Sequence, residues 1–246
     1  MRTTICLFLG AFLTATAPTI AEPTNTTAAI AAVFQADREL DGIAFSTVIE
    51  ATTGRKIIPI DLQREPDREL IRKLGLALDE VLARLNASNS VAQYERRINE
   101  VSSHFEAELK SVLNATEGFV CDFPRTMSGK IQRSGYPDLR VVDRKSGAIV
   151  YVDPKLFERG SRASTFRTFY YEPKIETSKI HGDAHHLIVG IEHDGRASGR
   201  WKFLSWELVD VSGLRVKLKA EFQSSNKEMY QPELIVGTNR KPQPTK

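Results

Sequence analysis

Two aspartates and a lysine have the spacing in this chain that could support chemistry. Asp138 follows Pro137, and fourteen residues separate it from Asp153, which with Pro154 and Lys155 forms an acid-proline-lysine triplet. Two carboxylates and an ammonium brought to one point can hold a hard divalent cation through oxygen and set a lysine beside a water molecule. The residues between them show how the three could meet. Leu139, Val141 and Val142 open one strand, Lys145-Ser146-Gly147 offers a polar reversal, and Ala148 to Val152 make a second, almost wholly apolar strand. A strand that apolar calls for cover on both faces. Antiparallel pairing about the turn returns Asp153 to the side of Asp138, and alternation along the strand puts Asp153 and Lys155 on one face with Pro154 on the other.

Acid-x-lysine triplets are common in a charged chain, and this one has four. Glu108-Leu109-Lys110 lies in a helical pattern, Asp143-Arg144-Lys145 in the hairpin turn, and Glu172-Pro173-Lys174 after an aromatic run; only Asp153-Pro154-Lys155 closes an apolar strand. Pro66-Asp67 repeats the proline-aspartate pair, but it precedes a helical pattern, where aspartate is an ordinary cap. The competing reading is a hairpin with an incidental ion pair, and Pro154, lacking a donor for a sheet ladder, fits a strand end better than a strand centre.

On Pro137-Asp138, the gap, and Asp153-Pro154-Lys155, the chain resembles the PD-(D/E)XK phosphodiesterase superfamily, the restriction-endonuclease-like nucleases. The resemblance implies Mg2+ or Mn2+ on Asp138, Asp153 and the backbone carbonyl of Pro154, with Lys155 assisting the attacking water and nucleic acid, taken as DNA, for substrate. It also implies a further acid from the first core helix. Glu108 lies closest to that helix's apolar face and Glu117 just past its end; either is otherwise a solvated carboxylate. Phosphate contacts are assigned to Arg125, Lys130 and Arg133 in the loop before the hairpin and to Arg162 and Arg167 after it, although ordinary surface cations look the same.

Charge is unevenly divided. Residues 22–121 hold 11 basic against 16 acidic side chains, whereas 122–246 hold 22 against 15, a net −5 against +7. A basic half that also carries the acidic hairpin suits a phosphate-backbone substrate, and suits a solvated lysine-rich surface equally.

The elements that must position these residues follow in chain order. Arg2, an apolar run from Ile5 to Ala17, and Thr19-Ile20-Ala21 read as a signal peptide cleaved after Ala21, too short to span a bilayer, which would make the protein secreted or periplasmic. The mature chain then keeps one cysteine, Cys121, read as a buried inert thiol, and no internal disulfide. Residues 22–89 form an N-terminal elaboration: a helix over Thr27–Leu40, strands over Phe45–Ile49 and Ile57–Leu62, and a helix over Asp67–Leu85. Ser90 caps a second long helix, periodic from Val91 to Val112.

A strand over Gly118–Phe123, the hairpin, a helix over Ser161–Tyr171 and a strand over His185–Glu192 complete the order helix, strand, strand, strand, helix, strand. That is the order of the restriction-endonuclease-like core, an α/β fold with a mixed central sheet flanked by helices, assigned here to residues 90–231. Within it, Trp201–Asp210 and Leu214–Phe222 read as a hairpin about Ser212-Gly213, and 232–246 as a disordered tail. Asn25, Asn86 and Asn114 stand in glycosylation sequons.

Two other readings compete. One is a secreted binding or scaffold protein with the same sheet and no working site. The other is a zinc hydrolase on His181, Asp183, His185 and His186, although no helix gives these four a common facing. A phosphate-binding glycine loop and a nucleophile elbow are both absent from the sequence.

Overall fold

A computed structural model describes residues 26–166, 168–196 and 199–237. The chain divides into two compact units, one of residues 42–217 and one of the segments on either side of them. In the flanking unit, α1 (Thr26–Glu39) buries none of its residues, and Phe34 meets Phe222 edge to face. Among the described residues no helix is long and apolar enough to cross a membrane.

The larger unit opens with β1 (Ile43–Ala44) and α2 (Phe45–Thr53), continues through α3 (Glu65–Asn86) and α4 (Ile98–Ala115), and then builds a five-stranded sheet. Its strands, β2 (Phe119–Asp122), β3 (Leu139–Asp143), β4 (Ile149–Glu158), β5 (His185–His193) and β6 (Phe203–Asp210), lie side by side in that order. The β4–β5 pair is parallel and the other pairs antiparallel, which makes the sheet mixed and leaves β4, the motif strand, inside it. Helices flank it, as the restriction-endonuclease-like reading expects.

Alternation sorts the two faces. Leu139, Val141, Val150, Val152, Leu187, Val189 and Ile191 point toward α3 and α4, whose Leu70, Leu74, Leu78, Phe105 and Leu109 complete that core. Burial of each such side chain contributes about 1.5–3 kcal/mol. Gly75 lets α3 approach β6: an added Cβ would stand 3.1 Å from the Trp206 ring, whose Nε1 donates to Asp79. The opposite face carries Tyr151 and Ile188 against Phe45, Ile49, Tyr136 and Ile180.

Two asparagines tie helix ends to strands. Asn114 donates to the Cys121 carbonyl and accepts from its N–H, at 2.8 and 2.9 Å, and Asn86 grips Phe203 in the same way. Both of these sequon amides are thereby committed to backbone, on residues that remain exposed; Asn25 lies outside the described residues.

Several expected elements differ. Phe45–Ile49 is helix rather than strand, because Phe45 and Ile49, four apart, bury on one face of α2, and Gly54 ends it at φ 66°. Of the strand expected over Ile57–Leu62, a single bridge from Ile57 to Ala184 forms. The helix expected from Val91 is split into a 3-10 turn, Val91–Tyr94, and α4. Ser90 makes no side-chain cap; Trp201 Nε1 donates to the Glu95 carbonyl, and Glu100 accepts from the Arg97 N–H to start α4. Described residues of 161–171 hold no helix, since Phe169 and Tyr171, two apart, both pack on Phe45, which requires extended chain. The hairpin expected after β6 is absent. A 3-10 turn, Val211–Gly213, closed by Asp210 accepting from Ser212, sends β7 (Arg215–Val216) to pair with β1.

Candidate active site

The β3–β4 turn is built by Asp143, whose carboxylate accepts from the Lys145 N–H and the Ser146 hydroxyl, while Gly147 takes φ 74° where the chain reverses. The register that results pairs Val141 with Val150 and Leu139 with Val152. One further step sets Asp138 opposite Asp153. Since Leu139 and Val152 face the α3–α4 core, both aspartates belong to the other face, alongside Tyr151. Lys155 follows on that face and its ammonium pairs with Asp153 Oδ2. The Asp153 side chain is 4 % exposed and that of Lys155 31 %, so the site opens on the lysine's side.

Pro154 stands within β4 rather than at its end, because the strand runs on to Glu158 against β5. The β3 ladder stops at Val152, so from Asp153 onward one flank of β4 lacks that partner and a missing N–H is tolerated.

Burial pushes the Asp138 carboxyl up to about 7, with Asp153 and then Glu106 adding to the rise and Lys155 and Lys179 opposing it. Of the acids on α4, Glu106 is the one whose charge acts on Asp138; it pairs with Arg133 at 2.6 Å, and that guanidinium lies 4.1 Å over the Phe123 ring. The two acids expected from this helix stand elsewhere: Glu108 pairs with Arg84 at 3.5 Å, and Glu117 lines a groove with Lys73 and Lys145, toward the turn end of the hairpin. Glu106 and Glu108 flank the buried stripe of α4 on opposite sides, and periodicity alone does not choose between them. Buried Leu113, seven residues on, extends that stripe toward Glu106 and is the signal that could have found it.

Two further groups were not singled out by sequence. Lys179 is almost fully buried and donates to the carbonyls of Gln132, at 3.3 Å, and Gly135. Tyr136 shares a 2.7 Å hydrogen bond with His186 Nδ1, and burial lowers that imidazole to about 4, so it stays neutral. A pocket of ≈ 210 Å³ bounded by Gln132, Tyr136, Tyr171, Glu172 and Lys179 lies beside this segment. A groove of ≈ 870 Å³ lies between α3, α4 and Lys145 of the turn, and neither Asp138 nor Asp153 lines it.

The cations assigned to phosphate are differently placed. Arg125 and Lys130 are exposed, with Arg125 bonded to the Gly129 carbonyl. Arg133 is committed to Glu106, and Arg162 to Glu207 on β6. Arg167 lies outside the described residues.

The histidine group does not converge. His181 Nε2 bonds the Arg125 carbonyl, His185 Nδ1 the Ile58 carbonyl and His186 the Tyr136 hydroxyl, while Asp183 accepts from the Lys56 N–H. Consecutive residues of β5 point to opposite faces, which separates His185 from His186 and removes the zinc reading. Cys121 is buried, and burial raises its thiol to about 12, beyond use as a nucleophile.

Among the described residues no three His, Cys, Asp or Glu side chains gather into a metal cage. The oxygens at hand suit a less enclosed arrangement. Asp153 Oδ2 is buried, with the Lys155 ammonium beside it and no hydrogen bond of good geometry, and Asp138 stands across from it. One or two carboxylates, completed by waters and substrate phosphate, are what Mg2+ ordinarily takes from a protein, so the donor set fits that class of ion.

The type II restriction enzyme MjaV family matches residues 39–233. The chain is 36 % identical over 209 residues to Type II restriction enzyme MjaV of Methanocaldococcus jannaschii, an alignment covering 80 % of this chain and 89 % of that protein.

Proposed function

The chain belongs to the type II restriction enzyme MjaV family, and from that premise we propose that it is an endonuclease hydrolysing phosphodiester bonds in DNA. The observation that carries the reading is the hairpin register, whose last pair, Leu139 with Val152, leaves Asp138 and Asp153 as the next residue of each arm, close enough for Asp153 to act on Asp138, with Lys155 paired to Asp153. Asp138, Asp153 and the carbonyl of Pro154 would hold Mg2+ or Mn2+, which supplies charge neutralisation at the phosphate and eases deprotonation of water.

The protein groups have separate tasks. Asp153, buried and rigid in β4, fixes the Lys155 ammonium at the mouth of the site. As an ammonium Lys155 has only donors, so it orients an attacking water or a phosphate oxygen rather than removing a proton. Asp138 must release its proton before it can act as an oxygen donor to a cation. Arg133 pairs with Glu106 and so holds that carboxylate at this end of α4. The basic half of the chain, net +7, draws the phosphate backbone toward an acidic centre that would otherwise repel it. Export is a separate proposal that rests on the run from Ile5 to Ala17, outside the described residues.

The test is incubation of the protein with several plasmid and viral DNAs of differing sequence, with Mg2+, with Mn2+ and with EDTA, and a parallel RNA arm. Discrete fragments that disappear with EDTA support the reading. Binding without cleavage under all metals would return the protein to the scaffold class, and cleavage of RNA alone would change the substrate.

A further inference from the structure

We propose that Lys179 is a positioning residue of this site: its buried ammonium pins the segment that delivers Asp138 and supplies a fixed positive charge to the acids. The proposal rests on the nuclease reading and extends it to a residue outside the motif.

Lys179 precedes Ile180, on the approach to β5, and is 1 % exposed. A buried ammonium is costly unless its surroundings hold it, so a lysine placed there has a definite partner set. Its Nζ donates to the carbonyls of Gln132 and Gly135, three residues apart in the loop that leads to Asp138. The same loop is pinned at Tyr136, through its hydroxyl on His186 and its ring against Phe45. Two ties on residues 132–136 therefore fix where the chain enters Pro137 and Asp138. Of the three N–H bonds of an ammonium, the carbonyls take two. Burial acts most strongly against its charge, with Arg133 adding a little, while Asp138, then Asp153, then Glu106 favour it. An ammonium this buried does not reach DNA; it acts through the residues it holds.

The test separates charge from hydrogen bonding. Lys179→Gln keeps donors without charge, Lys179→Met removes both, and Lys179→Arg keeps charge. Expected are roughly 10–100-fold losses in kcat and in Mg2+ affinity for the Met and Gln variants. KM for DNA should stay within about twofold of wild type, and Lys179→Arg should recover part of the loss. Calorimetric Mg2+ binding and the Mg2+-dependent rise in Tm read the site without relying on turnover. Folded Met and Gln variants with wild-type kcat and Mg2+ response would overturn the proposal.

Where the variants fail to fold, wild-type protein labelled with 15N at lysine Nζ decides. A slowly exchanging ammonium signal that moves on Mg2+ addition supports the role, and the lack of any such signal overturns it. Wild type that cleaves no DNA yet shows the responsive ammonium would count against the nuclease reading alone; active wild type with a silent Lys179 counts against this inference alone.

Discussion

Lys155 closes on the buried Oδ2 of Asp153 from two residues further along β4, so the positive charge of the site is already matched to one carboxylate while Asp138, one residue before the Leu139–Val152 pair that ends the ladder, adjoins them. The arrangement leaves one acid compensated and the other strained by burial and by like charge, which makes the two aspartates unequal.

Asp153→Asn should abolish cleavage and Lys155→Ala should lower it severely. A metal site supplies several kcal/mol of transition-state stabilisation, so the Asn variant should lose at least about a thousandfold in kcat. Plasmid cleavage with and without Mg2+ measures this. DNA binding in Ca2+ or EDTA should persist and weaken with salt in variant and wild type alike. Full activity in Asp153→Asn would reduce the pair to a structural ion bridge.

The metal-free protein should lose stability as pH rises toward neutrality. Asp138 in the folded chain titrates at about 7 against 3.8 for an unperturbed carboxyl. Between those values the folded state holds a proton that the unfolded state has released, so unfolding becomes easier as pH climbs through that window. Asp138→Asn removes the linkage, and its Tm advantage over wild type should be larger at about pH 8 than at about pH 5. Mg2+ affinity of the wild type should climb with pH up to about 7, because binding displaces that proton. A Tm difference between variant and wild type that does not change with pH would contradict the assignment.

Glu106, rather than Glu108 or Glu117, should tune that titration. Glu106→Gln removes a negative charge that raises Asp138, so the carboxyl should titrate lower, by NMR of its 13C-labelled side chain. The Glu108→Gln and Glu117→Gln variants should leave the curve where it is. Equal shifts in all three would mean a diffuse field rather than a specific helix acid.

Asn114→Ala should destabilise the protein without touching the site directly. It leaves the N–H and C=O of Cys121 without their partner, at about 1–3 kcal/mol for each group that finds no replacement. Thermal melts of Asn114→Ala and Asn86→Ala should both fall, with kcat in the surviving folded fraction near wild type. An unchanged Tm would show that water replaces the amide fully.

Export predicts a mature N-terminus near Glu22, because the apolar run ends at the small residues before Ala21. Intact-mass measurement on protein from its native host checks it. Full-length protein as the main species would end the export proposal.

How much of this was readable in advance follows from the range of the forces involved. The 138–155 hairpin was legible because strand alternation, a polar turn and its glycine are local, and pairing about a known turn fixes who faces whom. The amphipathic stripes of α3 and α4 and the apolar run of β5 were legible for the same reason. Contacts distant in sequence decided the rest. Phe45 became helical because Tyr136, Phe169 and Tyr171 close around it, and the helix expected from Val91 broke where Trp201 takes the Glu95 carbonyl. Arg215–Val216 left the expected hairpin to pair with β1. The choice of Glu106 needed the side of α4 that faces the sheet, and Lys179 needed carbonyls more than forty residues earlier in the chain. A buried charge has no local signature, since only the folded surroundings decide whether its desolvation is offset.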